Sequence, residues 1–463
     1  MTNLNEKKKF SVPSTIILLF CLVLIVGIMT YIIPAGTYER TLDEATGYNV
    51  VNPEGFQYVD QVPVNPFKAL VAIPRGFVAA SGIIFLIAFG FFWVYSVMQS
   101  GALNAAINKL LGSKARDSKR FIPICMLIFA IAGSTYGELE TVYGLIPVFI
   151  ALAIALGYDP LVGVGMCYVS VATGFASATT NPFTIGVAQT IAELTMFSGL
   201  ALRWVVFAVF YVAVTFMVMR YAKKVKNNPE KSLVYGLDFS EFKLDTETET
   251  VFTGRHKIIL SSMILTVGMI VYGSLKLEWY INEMSAIFII SALVVSIIAR
   301  FKIEEIKGNL VTATKEMATA MLVVGLARAT QIVLTDGSII DTVVHAFGML
   351  MQGLPTWITG IMMLIVQNLI NFFIPSGSGQ AAAIMPIMTP LADVAGVSRQ
   401  VAVLAYQFGD GFSNMIWPTA SCAIVCGIAH IPLDRWWRFI LPIFGVMFVL
   451  QCAFIVLATG IGY

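Results

Sequence analysis

Charge is what this chain has least of. Only 12% of its 463 residues are Asp, Glu, Lys or Arg, against roughly 25% in a typical soluble domain. Hydrophobic residues make up 58% and mean hydropathy is +0.82, which excludes a soluble globular chain and predicts a polytopic membrane protein. The 29 basic and 27 acidic residues nearly cancel, for a net charge of +2. With the basic residues scattered through short loops, no nucleic-acid partner is expected. Histidine occurs only 3 times and cysteine 6 times. Cys21, Cys125, Cys167, Cys422, Cys426 and Cys452 all lie in apolar runs. Cys422 and Cys426 share a helix face, but no His, acid or further Cys completes a metal set. They read as small core residues. No GxxxxGK[ST] phosphate loop, HExxH or GxSxG is present, which argues against direct use of ATP, zinc peptidase chemistry and serine hydrolysis. No cofactor is expected, and an enzyme is not.

What the chain has instead is long apolar runs. A crossing takes about 20 apolar residues, and full-length candidates fall at 12–34, 76–99, 161–193, 203–222, 258–276, 281–300, 318–336, 399–430 and 437–461. The first follows Lys7, Lys8 and Lys9. It is longer than the roughly 7–15 residues of a signal-peptide core and lacks a small-residue cleavage site, so it reads as a retained span. Residues 121–157 and 356–395 differ. Each holds two short apolar arms around a polar, Gly-rich centre, GSTYGELETVYG in one and PSGSGQ in the other, as re-entrant hairpins would. The expected fold is all-α, with about nine spans, two hairpins and two interrupted helices.

The interruptions are GFASATTNPFT (Gly174–Thr184) and GFSNMIWPT (Gly411–Thr419). Broken backbone at membrane depth is tolerated only where it faces protein or a wet cavity. A pair of such breaks at matching places in two halves is the sequence mark of a secondary transporter's binding site. Pro182 and Pro418 are 236 residues apart, as are Gly101 and Gly337, and Pro147 and Pro386 are 239 apart. Basic residues distribute 22 to 6 between alternate sides, with Arg328 inside a span. The positive-inside rule then puts the N-terminus in the cytoplasm and the C-terminus outside. An extra span near 258–276 flips the second copy. The expected division is a first inverted repeat at 1–222, a charged cytoplasmic linker at 223–257 and the second repeat at 258–463. Residues 35–74 read as a polar outer loop, and the acidic run LDTETETV in the linker as solvated.

Charges inside spans cost about 2.5–3.5 kcal/mol each on insertion scales and are functional candidates by default. They are Glu138 and Glu140 at the first hairpin tip, Arg328, and Asp410 in QFGDGFSN. Two carboxylates at a tip suggest a cation or an acid that takes up a proton; alternatively one caps a helix and the other pairs with Arg328. Asp410 between two glycines could neutralise a substrate ammonium, a guanidinium or Na⁺, or could simply cap a half-helix. Arg328 could hold a substrate carboxylate, and reads rather more naturally as the buried partner of an acid. Ser134, Thr135, Thr180, Asn181, Ser376, Ser378, Asn414 and Thr419 cluster at the tips and breaks and complete the expected substrate-binding set. Singly, each hydroxyl could equally bond its own helix. Na⁺ near Asn181, Asp410 and Asn414, or H⁺, is the candidate coupling ion. Trp436 and Trp437 read as interface anchors.

At IPAGTYER (Ile33–Arg40), GSTYGELETVYGLIP (Gly133–Pro147), TNPFTIGVAQ (Thr180–Gln189), IPSGSGQAAAIMPIMTPLAD (Ile374–Asp393) and GDGFSNMIWPT (Gly409–Thr419), the chain resembles a known family. It is similar to the YfcC/ArcD-type basic amino acid antiporters and DcuC-like anaerobic dicarboxylate carriers of the ion transporter superfamily. The resemblance implies an inner-membrane secondary carrier, elevator-type alternating access and a homodimer. The expected cargo is a small amino acid or carboxylate, with arginine/ornithine exchange foremost. A Na⁺- or H⁺-coupled carboxylate symporter is the alternative, and an ion channel a distant one.

Overall fold

A computed structural model describes residues 15–43, 48–103, 105–106, 120–135, 137, 139–242, 252–277, 279, 281–350 and 353–463. Glu138 and the acidic run 244–251 lie outside the described residues. The chain is a multi-pass helical membrane protein. Six helices among the described residues are long and apolar enough to cross a bilayer. They are α3 (Ser81–Gln99), α8 (Leu200–Asn227), α10 (Ile281–Ala299), α12 (Ala318–Asp336), α14 (Thr356–Phe373) and α18 (Leu433–Gly460). The intervening helices are shorter or more polar: α1 (Thr15–Ile32), α2 (Pro66–Ala79), α4 (Phe121–Thr135), α5 (Ile146–Ala155), α6 (Pro160–Ala176), α7 (Val187–Ile191) and α9 (Gly254–Lys276). The second half adds α11 (Ile303–Glu316), α13 (Ile340–Leu350), α15 (Gly377–Val394), α16 (Arg399–Ser413) and α17 (Ser421–Ile428).

Elements recur in order and length. The helices α2 and α11 both have 14 residues, α3 and α12 both have 19, and α8 and α18 both have 28. Packing follows the same correspondence: α12 lies against α1 and α2, while α3 lies against α10 and α11. In the same way α4 packs on α6, and α14 on α16. Small residues set these approaches. A β-carbon on Gly174 would stand 1.9 Å from the Ala130 carbonyl oxygen, and one on Gly409 would stand 2.3 Å from Gln367 Cβ. Backbones this close allow van der Waals packing where lipid provides no hydrophobic drive between helices.

Residues 35–74 are not an irregular outer loop, and the chain is not purely helical: Gly36–Asp43 (β1) and Tyr48–Tyr58 (β2) pair as an antiparallel hairpin. Its β-branched and aromatic residues, Tyr38, Thr41 and Phe56 among them, suit a pleated surface. The hairpin is tied to α13, where Tyr38 N–H and Arg40 Nη2 both donate to Asp341 at 2.9 and 2.7 Å and Phe56 stacks on His345. The same 35–74 stretch also contains most of α2, started by Asn65 Oδ1 accepting from Lys68 N at 2.9 Å and by Pro66 at its first position, both favoured at helix N-termini. Residues 303–316, between the spans expected at 281–300 and 318–336, form α11. The described part of the charged linker 223–257 is tied to the body of the protein. Phe242 is buried, His430 pairs with Glu241, and Arg435 Nη1 donates to the Leu233 carbonyl at 3.1 Å.

Gly174→Ala should lower the melting temperature of the purified protein by an amount equivalent to about 1–3 kcal/mol, the usual penalty of overpacking. Gly268→Ala, in a helix with open space around it, should be neutral or stabilising, because Ala favours helix over Gly by about 1 kcal/mol. Equal melting of the two variants would contradict the close α4–α6 contact.

Candidate functional site

Both expected breaks are present. Helix α6, which carries a π-turn at Gly165–Val169, stops at Ala176. Ser177 Oγ turns back to the Thr173 carbonyl at 2.6 Å. The chain restarts beyond Asn181, whose Oδ1 accepts from Phe183 N at 2.9 Å, just before Pro182. Helix α16 stops at Ser413 and resumes as α17 at Ser421. The two breaks touch. A β-carbon on Gly411 would stand 2.3 Å from Ala176 Cα, and Tyr168 Oη bridges the Ser421 hydroxyl at 2.7 Å and the Asn414 carbonyl at 3.3 Å. Trp436 and Trp437 are not interface anchors. Their indole N–H groups donate to the Met415 and Ile416 carbonyls at 2.8 and 2.9 Å, bracing the second break.

Each helix pair seats its tip on a break. In the first, the Ser134 carbonyl accepts from Thr179 N at 2.9 Å and Thr180 N at 3.2 Å, and the Ser134 and Thr179 hydroxyls pair at 3.0 Å. Gly137 has φ +78° and lies flat on Asn181, where a β-carbon would come within 2.1 Å of the amide. Glycine is needed there for both space and conformation. In the second, Ser376 caps α15, Tyr406 Oη donates to the Gly377 carbonyl at 2.6 Å, and Asp410 Oδ2 lies 3.4 Å from where a Gly377 β-carbon would stand. Asn371, fully buried, is the hub. Its Nδ2 faces the Asp410 carbonyl, Ser413 Oγ and Asn414 Oδ1 at 3.0, 2.7 and 2.9 Å. Gln380 Nε2 donates to Gln367 Oε1 at 2.6 Å, and Gln407 Nε2 to the Phe175 carbonyl at 2.6 Å.

A single cavity of about 550 Å³ gathers these parts. Glu140 and Gly137 come from the first tip, Ser376, Gly377 and Ser378 from the second, Thr184 from the first break, and Asn414 and Thr419 from the second. Arg328 and Gln331 of α12 complete the wall. Arg328 is exposed within it, and its Nη1 donates to Gln331 Oε1 at 2.5 Å. Among the described residues no carboxylate pairs with it, and it is not buried as expected; Glu138, one of its expected partners, lies outside the described residues. Glu140, half-buried, likewise has no cation within ion-pair distance. Behind the second tip, Asp410 is fully buried with neither carboxylate oxygen hydrogen-bonded.

Of the residues expected to bind substrate, Glu140, Ser376, Ser378, Asn414 and Thr419 line the cavity. Ser134, Thr135, Thr180, Asn181 and Asp410 stand behind its lining, and Glu138 lies outside the described residues. Thr135 Oγ1 bonds the Ile131 carbonyl of its own helix at 2.7 Å, and Thr419 Oγ1 bonds the Phe372 carbonyl at 2.8 Å. Sequence reasoning passed over Gln367, Asn371 and Gln407. Their signal is legible in retrospect: amides inside the apolar arm IVQNLINFF and three residues before Asp410.

The DcuC model, described as C4-dicarboxylate anaerobic carrier, matches residues 12–460. The chain belongs to the DcuC family. The protein is 28% identical to the "Putative basic amino acid antiporter YfcC" of Escherichia coli K12, over all of this chain and 99% of that one. It is 25% identical to an uncharacterised protein of Haemophilus influenzae, over 99% of each. The solved structure of Neisseria gonorrhoeae MtrF is 16% identical and covers 97% of this chain and 96% of its own, with a TM-score of 0.44. That superposition is too loose to carry any property over. This DcuC-family member is therefore a transporter by family, and its own residues must speak for its cargo.

Asn371→Ala should destabilise the protein by about 1–3 kcal/mol, because it strips buried acceptors of their donor. Thr135→Val, which removes only a hydroxyl bonded within its own helix, should cost well under half as much. Melting curves of the two variants check this.

Proposed function

We propose that the protein is a secondary carrier exchanging basic amino acids, with arginine against ornithine as the lead pair. The observation that carries the reading is one guanidinium and one carboxylate, Arg328 and Glu140, lining the same cavity with no ion-pair partner among the described residues. Unpaired opposite charges in one polar chamber complement a zwitterion. The planar guanidinium suits bidentate capture of an α-carboxylate. The carboxylate suits an ammonium or a substrate guanidinium. The name of the Escherichia coli relative points the same way. The family description names C4-dicarboxylates; Arg328 could hold one such carboxylate, but Glu140 would repel the second.

Alternating access follows from the reading of the two halves as inverted repeats, with the N-terminus cytoplasmic. In an elevator motion the tips and broken helices would slide past α3, α10 and α12, changing the separation of Glu140 and Arg328 as they go. Asp410 would act behind the second tip. An isolated buried carboxylate is strongly unfavourable, so it calls for a proton or a cation. For Na⁺ the surroundings fit unevenly. Asn414 Oδ1 is occupied by Asn371, and Asn181 Oδ1 by the Phe183 N–H, leaving an unpartnered Nδ2 that would repel a cation. A proton suits this set better.

In proteoliposomes, labelled arginine should enter only when ornithine or arginine is loaded inside. Succinate uptake stimulated by Na⁺ would overturn the reading. Glu140→Gln should reduce arginine exchange at least about tenfold, since a charge-assisted hydrogen bond is worth about 1.5–3 kcal/mol. Asp410→Asn should abolish exchange while leaving folded yield unchanged, because the break stays and only its charge goes. Wild-type exchange by that variant would remove Asp410 from the mechanism.

A further inference from the structure

A second cavity, of about 880 Å³, opens between α8 and α18 and takes no part in the central site. Its two walls are helical stripes. On α8, Ala213, Phe216 and Met217 lead to Arg220 and Lys224. On α18, Val446, Ile443 and Pro442 lead back to Arg438, and Lys231 joins from the turn after α8. Both helices thus put their cations at the same end of the slot and their apolar side chains along its length. Phe216 is 64% exposed and Val446 43% exposed, so the slot is open to the hydrocarbon.

None of the four cations pairs with a carboxylate among the described residues. The neighbouring acids are otherwise engaged. Asp159 accepts from Tyr221 Oη and Ser232 Oγ at 2.5 and 2.6 Å, Asp434 lies 3.6 Å from Arg435, and Glu241 pairs with His430. Glu230, beside Lys231, is exposed and does not line the slot.

We propose that this slot is a binding site for an anionic phospholipid, its phosphate held by Arg220, Lys224, Lys231 and Arg438 and an acyl chain lying along Phe216 and Val446. Basic pockets between membrane helices suit anionic head groups, and interfacial cations attract them additively. Long side chains reaching to the interface from helix ends give the cations their place. A second copy of the chain is disfavoured, since four like charges would face their own counterparts. Free phosphate has no use for the apolar walls.

The test is native mass spectrometry of the full-length protein in detergent, titrated separately with tetraoleoyl cardiolipin, dioleoyl phosphatidylglycerol and dioleoyl phosphatidylethanolamine. Inorganic phosphate, added in a melting assay, serves as the head-group-only arm. The anionic lipids should be retained at least about tenfold more tightly than phosphatidylethanolamine. The triple variant Arg220→Gln, Lys224→Gln, Arg438→Gln should fall to within about twofold of it, with unchanged melting in phosphatidylethanolamine nanodiscs. If the triple variant does not fold, Lys231→Gln decides alone: about fivefold weaker anionic-lipid retention supports the site, and unchanged retention overturns it. Equal retention of all three lipids by the wild type, or stabilisation by phosphate as large as by lipid, also overturns it.

Discussion

A peptide group without a partner cannot be left in hydrocarbon, and the centre of this molecule is organised around two places where helices stop short of that rule. At each stop, something else supplies the missing partner. At the first break it is the Ser134 carbonyl and hydroxyl, reaching from α4 to Thr179 and Thr180. At the second it is two indoles of α18, the Tyr168 phenol, and the Cys422 N–H closing on the Asn414 carbonyl. These partners fix where the hairpins and α18 must lie. Much of the packing around the cavity follows from that requirement, with glycines at Gly133, Gly174, Gly409 and Gly411 letting the backbones come near enough.

Once the breaks are held, the charges sort themselves by depth. Among the described residues Arg328 and Glu140 stay unpaired, and both face the cavity, where solvent would screen them. Asp410 has no such relief and sits one layer back, behind a glycine. The polar amides around it, Asn371, Gln380 and Gln407, bond backbone carbonyls and the side chains of Ser413, Asn414 and Gln367 but leave oxygens over. A buried network that is complete makes a rigid core. Here the network around the acid is incomplete, with both oxygens of Asp410 unpartnered.

Much of this was legible in the chain. Pro182 and Pro418 in polar gaps marked the breaks, and the Gly-rich centres at 133–144 and 375–380 marked the tips, because few other sequences interrupt apolar runs in that way. Other features were hidden for physical reasons. Tyr38, Thr41 and Phe56 occur among polar residues, so their strand pairing was lost in what read as a loop. The helix α11 is amphipathic and charged, so hydropathy alone could not find it. Trp436 and Trp437 look like interface anchors in sequence because indole suits both the interface and a buried carbonyl, and only the fold tells which. Arg328 was the hardest. A guanidinium inside an apolar run reads as one that needs a partner, until the cavity beside it is known.

The two breaks are not chemically equivalent, although their elements recur in length and order. Only the second carries an acid within its helix, and only its acid is enclosed. Asn371 ties that region to α14, Tyr406 ties α16 to the tip of α15, and Gln380 ties α15 back to α14. These bonds join three helices into one group with Asp410 inside it. Any movement that carries the second tip carries the acid with it. Arg328 belongs to α12, which packs on α1 and α2 and also on α17, just beyond the second break. The acid and the guanidinium thus stand on different helices, α16 and α12, which meet through α17 across the second break.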